Sequence, residues 1–505
     1  MDRKRKLLWN TISSLLFQIT SIVCGFILPR LILGKFGSDV NGLVNSISQF
    51  LHIITFTELG VGAVVESTLY KPLAEKNDVQ TSRIIVSADK FFNLVGLILL
   101  AYVIVLSIFY PFIGKHNFGW LYSAVLVVTI SVSTFAQFYF GVVDRLLLTA
   151  DQRGFVQYSA QIITLILNTI VCALLIHLDC SIHVVKISTS LIYLIRPVFL
   201  RIYVRKHYRI DRKMKLTEEP IKQKWNGIAQ HTASVVLDQT DTIVLTIFST
   251  LSNVSIYSVY HLVIYGLKQL FLSTTAGIRA LIGELWAKQE LEKLNNLFGY
   301  LEWIIHTITV LLFCCAGVLM IPFVSVYTNG ITDANYVQPL FSILIVTAHA
   351  GHCLRMPYNT MILAAGHYKQ TQNNYIIAAL LNILISIVTV KMWGLIGVAI
   401  GTLVAMAYQT VWMALYISKN IIMWPFKSFI KRLAVDVVEV VCVLISTYFY
   451  KSSVLDYFHW VILAAEVFFT AFAVIFVINY LFYPDLVKQL IRKLNTRLLR
   501  NKQNC

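Results

Sequence analysis

Charged side chains are scarce in this sequence. Only 13% of its 505 residues are Asp, Glu, Lys or Arg, whereas 57% are hydrophobic; a soluble domain carries about 25% charged residues. Too few charges remain to cover a water-facing surface, which excludes an ordinary soluble globular protein. We therefore expect lipid to be the solvent around most of the chain.

The sequence also lacks the usual signatures of catalysis and metal binding. It contains no Walker A sequence, no HExxH and no GxSxG. Its eight cysteines have no metal-ligand spacing, and Cys314 and Cys315 are adjacent, so we expect buried, apolar thiols. The loops expected outside the membrane are short and leave no room for an external active site. We expect no enzyme, no metal and no cofactor.

Long apolar segments, in contrast, are abundant. About 14 of them have the roughly 20 residues needed to cross a bilayer, and a backbone in hydrocarbon must satisfy its own hydrogen bonds, which predicts helices. The predicted fold class is an all-α polytopic membrane protein. The segments lie near residues 8–34, 38–65, 84–113, 119–147, 155–177, 181–204, 225–250, 254–286, 295–326, 336–365, 370–390, 394–418, 428–450 and 459–483.

The positive charges follow the predicted topology. If the basic N-terminus is cytoplasmic and the segments alternate, only four of the 42 Lys and Arg residues fall in external loops: Lys35, Lys115, Lys391 and Lys451. This is the bias of the positive-inside rule. The net charge of +17 is thus explained without nucleic acid as a partner, and both termini are expected in the cytoplasm.

An internal repeat divides the first twelve segments into two copies. Three matches recur at offsets of 216, 215 and 214 residues: Trp9-Asn10 with Trp225-Asn226, the turns that start at Leu148 and Leu363, and Asn168 with Asn382. Each copy has six helices, so the repeat is parallel, an arrangement typical of secondary transporters that work by alternating access.

The repeat sets the expected domain organisation. Segments 13 and 14 lie outside it, and the last segment of the chain has apolar residues at helical spacing among basic ones, which predicts a surface-lying amphipathic helix. The predicted parts are an N-lobe (1–204), a basic cytoplasmic linker (205–224), a C-lobe (225–420), two extra helices (421–483) and a basic tail (484–505).

Ionisable residues inside the apolar segments are candidates for function because burying them in a membrane is costly. The cations that are hardest to explain as interfacial are Lys268 and Arg279 on segment eight and Arg355 in segment ten. Arg30 is either an anchor at the outer interface or a cavity cation. Three carboxylates are equally hard to explain as interfacial: Glu58, Asp238 and Asp241.

Other buried acids have simpler explanations. Asp144 closes segment four and is expected at the membrane interface. Asp436 and Glu439 share one face of segment thirteen with Lys431 and Arg432 nearby, which would allow pairing within the helix.

The joint pattern resembles a known family. Twelve repeated helices plus two, a first helix ending in FILPRLILGKFGSDVNG, and the LTADQRGF turn after helix four are similar to the polysaccharide-transporter branch of the multidrug/oligosaccharidyl-lipid/polysaccharide (MOP) exporter superfamily. Within it, the chain most resembles Wzx-type flippases, relatives of the lipid II flippase MurJ. The motif positions are Arg30, Phe36, Gly37 and Gly42.

The resemblance implies a V-shaped two-lobe fold in a bacterial plasma membrane. It implies a flippase that moves undecaprenyl-diphosphate-linked oligosaccharide from the inner to the outer leaflet for capsule, exopolysaccharide or O-antigen synthesis. It makes Arg30 a diphosphate-binding candidate, with Lys268, Arg279 and Arg355 as further cations. Membrane lipids, a polysaccharide polymerase and a chain-length regulator are the implied partners, and segments 13 and 14 would form a groove for the lipid tail.

Several alternatives stay open from the sequence. The cargo could be lipid II or a teichoic-acid unit, since the same chemistry applies. A cation-coupled drug antiporter of the same superfamily, or a scaffold for a synthesis complex, would not need cavity cations. Glu58, Asp238 and Asp241 are either H⁺ or Na⁺ coupling sites or counter-ions of the cations.

Overall fold

The computed structural model describes residues 3–53, 56–113, 118–216, 220–221, 239–422, 424–450 and 456–503, with the backbone alone at 3–4, 7, 56–60, 63, 272–277, 280 and 494–503. Nearly all of these residues are helical, which confirms the all-α fold class. The helices are α1 (Arg3–His52), α2 (Phe56–Ala74), α3 (Asp78–Phe109), α4 (Trp120–Ala136), α5 (Val142–Ala150), α6 (Gly154–His177), α7 (Ile182–His207), α8 (239–248), α9 (Leu251–Ala287), α10 (Leu291–Tyr327), α11 (Pro339–Leu354), α12 (Met356–Ala364), α13 (Tyr368–Trp393), α14 (Leu395–Asn420), α15 (Phe426–Thr447), α16 (Tyr457–Phe482) and α17 (Pro484–Gln503).

Within the described part of the chain, nine helical stretches are long and apolar enough to cross a membrane. Large apolar side chains on them stay exposed, such as Leu97 and Phe109 on α3 and Phe469 on α16. Such surfaces are unfavourable in water and normal in lipid. The protein is therefore a multi-pass membrane protein. The stretches are Leu8–His52, Asp78–Phe112, Trp120–Ala150, Gly154–His177, Ile182–His207, Leu291–Tyr327, Tyr368–Trp393, Leu395–Asn420 and Tyr457–Phe482.

The chain folds into two compact units. The first comprises Met1–Ser258, Gly330–Ala334 and Ile387–Val398, and the second comprises Val259–Asn329, Asn335–Ser386 and Ala399–Cys505. The border between them runs within α9. The lobe boundaries that the repeat predicts, with a linker at 205–224, stay a prediction.

In the first unit, α1 bends at Gly37, where the first two apolar segments are predicted to meet. Gly37 has φ +81° and ψ 179°, a backbone conformation that is essentially restricted to glycine. The Asp333 carboxylate caps the helix that continues beyond it. It accepts a hydrogen bond from the Ser38 amide at 2.7 Å and another from the Ser38 hydroxyl at 2.6 Å. A glycine and a long-range cap together hold this bend.

A π-helical turn, Gln137–Gly141, joins α4 to α5 in the same unit. Asp144, which the sequence predicts at the membrane interface, lies just beyond it, and the structure buries this carboxylate completely against other parts of the protein. Arg201 donates to Asp144 Oδ2 at 3.3 Å. Arg212 donates both to Asp144 and to Asp89, and its nitrogen lies 2.8 Å from Asp89 Oδ2. These guanidinium partners come from distant positions in the chain, and the expected position of Asp144 at the membrane interface stays a prediction.

In the second unit, α10 packs against α11, α15 and α16. An apolar cluster between these helices includes Cys314 and Cys315 of α10, Val443 of α15 and Val467 of α16. Both thiols are buried among hydrocarbon side chains, as predicted for apolar cysteines. The two helices outside the predicted repeat, α15 and α16, thus share a core with α10.

The two turns that carry the predicted repeat have the same local hydrogen bonding. The Arg153 amide donates to the Leu148 carbonyl at 2.7 Å, and the His367 amide donates to the Ile362 carbonyl at 3.1 Å. In each turn the preceding residue has a positive φ, 58° and 77° respectively, as in a Schellman-type helix end. Both helix ends are therefore closed in the same way, 214 residues apart (367 − 153).

Candidate functional site

Two of the predicted cations come together in the second unit. Lys268 of α9 is 8% exposed, and Arg355, between α11 and α12, is 5% exposed. Both side chains lie close enough to His349 and His352 to interact electrostatically with them. The His261 ring lies 5.9 Å from that of His349, centroid to centroid. We call these five residues the basic cluster.

Arg355 owes its position to a break in the helix. Pro357 follows two residues later, lacks an amide proton and crowds the preceding turn, and the helix divides at Arg355 into α11 and α12. The guanidinium donates to His352 Nδ1 at 2.9 Å and contacts Met406 Sδ at 3.9 Å. These contacts hold a positive charge at a fixed place inside the unit.

His349 is the part of the cluster that most clearly has capacity for a ligand. Its ring is 4% exposed, and neither ring nitrogen has a hydrogen-bond partner among the described residues. A buried polar group normally has one. An imidazole that is neutral still offers one N–H donor. The cluster therefore combines a lysine and an arginine side chain with a buried imidazole whose hydrogen-bonding capacity is unused.

The chemistry of the basic cluster suits an anion rich in oxygen atoms. Lysine and arginine side chains only donate hydrogen bonds, three and five respectively. Hydrogen bonds between such cations and phosphate or carboxylate oxygens are short and about twice as strong as neutral ones. Among the described residues, no group of three His, Cys, Asp or Glu side chains is arranged to hold a metal ion.

The other two predicted cations have different surroundings. Arg279 is exposed, toward the end of α9. Arg30 belongs to the first unit and is half-buried; its Nη1 lies 3.3 Å from the position that a Cβ on Gly34 would occupy. The guanidinium of Arg30 thus extends along α1 by about one turn.

The predicted carboxylates have different outcomes. Asp241 of α8 is 3% exposed and accepts a hydrogen bond from the Tyr257 hydroxyl at 3.0 Å, both in the first unit. Asp238 lies outside the described residues, and only the backbone of Glu58 is described, within α2. A role for the three as coupling-ion sites or counter-ions stays a prediction.

Sequence reasoning missed the three histidines, although their spacing carries a signal. His349, His352 and Arg355 follow one another at intervals of three residues, and His261 precedes Lys268 by seven. Both spacings keep side chains on one face of a helix. Two basic faces, one on each of two helices, would have indicated the cluster.

Comparison with known proteins concerns the fold. No protein-family model matches the chain, and no curated protein matches its sequence. Solved structures match over most of its length. The lipid II flippase MurJ, in an inward closed conformation, gives a TM-score of 0.68 at 15% identity, over 95% of this chain and 100% of that one. The fold is that of the MOP-superfamily transporters.

Two further structures have the MOP fold. An inward-facing multidrug resistance transporter of the MATE family gives a TM-score of 0.62 at 14% identity, over 79% of this chain and 94% of that one. A MOP-superfamily transporter from Pyrococcus furiosus, described as having a binding pocket of reversed polarity, gives 0.58 at 14% identity, over 83% and 96%. These likenesses agree with the fold that the resemblance implied and do not single out the Wzx branch.

Proposed function

We propose that the protein is a flippase that carries undecaprenyl-diphosphate-linked oligosaccharide from the inner to the outer leaflet of a bacterial plasma membrane, by alternating access. The observation that supports this most directly is the basic cluster, in which Lys268 and Arg355 lie buried beside His349. The diphosphate is the part of such a cargo that the protein must stabilise, because its charges must leave water while the polyprenyl tail stays in lipid.

Two cations supply enough binding free energy to recognise a diphosphate. A hydrogen bond to a charged group contributes about 1.5–3 kcal/mol, so two cations together contribute about 3–6 kcal/mol. At 1.4 kcal/mol for each tenfold change in Kd, that is about two to four orders of magnitude in affinity. Lys268 and Arg355 would therefore be sufficient to select a diphosphate over an uncharged lipid, with His349 as a further donor.

The comparisons support transport and a lipid-linked cargo. One protein with the same fold is named as a lipid II flippase, and another as a multidrug transporter. A site for cationic drugs would need buried acids, whereas the basic cluster is positively charged. Lipid II or a teichoic-acid unit would meet the same cations, so the sugar is the part of the proposal that the basic cluster does not specify.

Binding of cargo analogues by the purified protein in nanodiscs tests the site. Lys268→Met and Arg355→Met should each weaken binding of undecaprenyl diphosphate by about tenfold to a hundredfold, while Lys268→Arg should keep most of it. Lys288→Ala is the matched control, since Lys288 is exposed just beyond α9 and pairs with Glu284. Equal binding by wild type and both Met variants, all correctly folded, would refute the assignment.

The same assay decides the remaining cations. Arg30→Ala and Arg279→Ala should weaken binding if these residues also contact the diphosphate, as the resemblance implies. In cells that lack the protein, lipid-linked oligosaccharide should accumulate inside and surface polysaccharide should be lost. A deletion that leaves every surface glycan unchanged would contradict the proposed cargo, and interactions with a polymerase or chain-length regulator would then have no basis.

A further inference from the structure

A second polar cluster lies within the second unit, separate from the basic cluster. It joins α10, α15 and α16. His306 Nδ1 lies 2.6 Å from Asp436 Oδ2, and Asn479 donates to Glu439 Oε1 at 2.6 Å. The exposed fractions are 2% for His306 and Glu439, 3% for Asn479 and 7% for Asp436. We call these four residues the acid–histidine cluster.

The partners differ from those expected from the sequence, which would allow Asp436 and Glu439 to pair with Lys431 and Arg432. Asp436 instead contacts a histidine of α10. Arg432 donates to Glu302 of α10 at 2.5 Å. Arg432, the cationic side chain nearest to Asp436 in sequence, is thus paired with Glu302. Among these described residues, it forms no ion pair with Asp436 or Glu439.

The charge count of this region does not balance without protons. Among the described residues, three buried carboxyl groups (Glu302, Asp436 and Glu439) face one guanidinium (Arg432) and one imidazole (His306). With all three acids ionised and the imidazole neutral, the net charge is −2. Buried charge that is not compensated is strongly unfavourable, and such groups take up protons instead. Two protons bring the net charge to zero.

Hydrogen-bond directions indicate which carboxyl group holds a proton. The Trp303 indole can only donate, and it donates to Asn479 Oδ1 at 2.6 Å. This fixes the amide so that its nitrogen donates to Glu439 Oε1. The other oxygen, Glu439 Oε2, is buried and has no partner among the described residues. A neutral carboxyl group tolerates that position, whereas a carboxylate would leave half of its charge unsatisfied.

We propose that the acid–histidine cluster is a proton-binding site, with Glu439 as the protonated carboxyl group and the His306–Asp436 pair as its neighbour. The other titratable or charged groups that face it are Glu302 and Cys314 from α10, Tyr358 from α12, Arg432 from α15 and Tyr483 at the end of α16. If the proposed transport function holds, this is a site through which a pH gradient acts on α10, α15 and α16.

Infrared spectroscopy of the full chain in lipid nanodiscs tests the site without any cargo. Wild type at neutral pH should show the C=O stretch of a protonated carboxyl group, which is lost on raising the pH. Glu439→Gln should lack that band, and Glu284→Gln, which changes an exposed carboxyl group at the end of α9, should keep it. An unchanged band in Glu439→Gln would overturn the proposal.

Two further arms make the result specific. Glu439→Asp keeps a titratable carboxyl group, so it should show a C=O band where Glu439→Gln shows none. That band would show that the site tolerates substitution. Adding Na⁺ at constant pH should leave the wild-type band unchanged; loss of the band on Na⁺ addition would make the site a sodium site and overturn the proposal. Since neither arm uses a lipid-linked cargo, failure here is distinguishable from failure of the proposed flippase function.

Discussion

Replacing Gly37 by alanine should destabilise the first unit more than any ordinary glycine substitution in a helix. The left-handed backbone at Gly37 costs a non-glycine residue about 1–3 kcal/mol. The added Cβ would also lie 2.7 Å from Asp333 Oδ2, which forces the carboxylate away from Ser38. Losing one charge-assisted hydrogen bond there costs about 1.5–3 kcal/mol. Together these predict a loss of about 2.5–6 kcal/mol.

Thermal unfolding of the purified protein in detergent measures this loss. Gly25→Ala is the matched control on the same helix, because nothing lies within 4 Å of its added Cβ; it should be neutral or stabilise by up to about 1 kcal/mol. Combining Gly37→Ala with Asp333→Ala should cost less than the sum of the single changes, since both remove the same cap. If Gly37→Ala unfolds at the same temperature as Gly25→Ala, the strained bend does not exist in the molecule.

Three further substitutions should change the stability of the protein. Gly42→Ala should lower the melting temperature, because its Cβ would overlap a main-chain carbonyl at the start of α9. Glu302→Gln should destabilise the protein by about 3–5 kcal/mol in chemical unfolding, since it leaves the buried Arg432 charge without its carboxylate. Lys35 lowers the pKa of the exposed Asp179 carboxyl group. Wild type should therefore be more stable than Asp179→Asn at neutral pH, and this difference should vanish as the pH falls below the ordinary value of 3.8 and the carboxylate is protonated. A stability difference that does not change with pH would contradict that pairing.

Hydrophobic length was enough to predict individual helices. The segment predicted at 155–177 is found at Gly154–His177, and the one predicted at 459–483 is found at Tyr457–Phe482. These ends depend on where the apolar run meets polar residues, which is local information. The bend at Gly37 was also predictable as a segment border, although its cap by Asp333 was not, because nearly 300 residues separate the two.

Partners of buried charges could not be predicted in the same way. Asp436 has basic neighbours one helical turn away in sequence, yet its partner is His306, 130 residues earlier. The sequence marks both Lys268 and Arg355 as candidates, but their proximity to His349 depends on how α9 and α11 pack. A local pattern shows that a charge is buried, and only the tertiary fold shows what it faces.

The π-helical turn at Gln137–Gly141 has a consequence for how insertions and deletions act on this chain. Such a turn holds one residue more than the α-helical turn it replaces, and each residue rotates a helix by about 100°. Deleting a single residue from the turn would therefore restore a regular α-helical turn, and α5 would keep its rotation about the helix axis. Asp144 would still face Arg201 and Arg212, whereas deleting Val142 or Val143 from the regular helix of α5 would rotate Asp144 away from both. One residue can thus be lost from the π-helical turn without breaking the ion pairs beyond it.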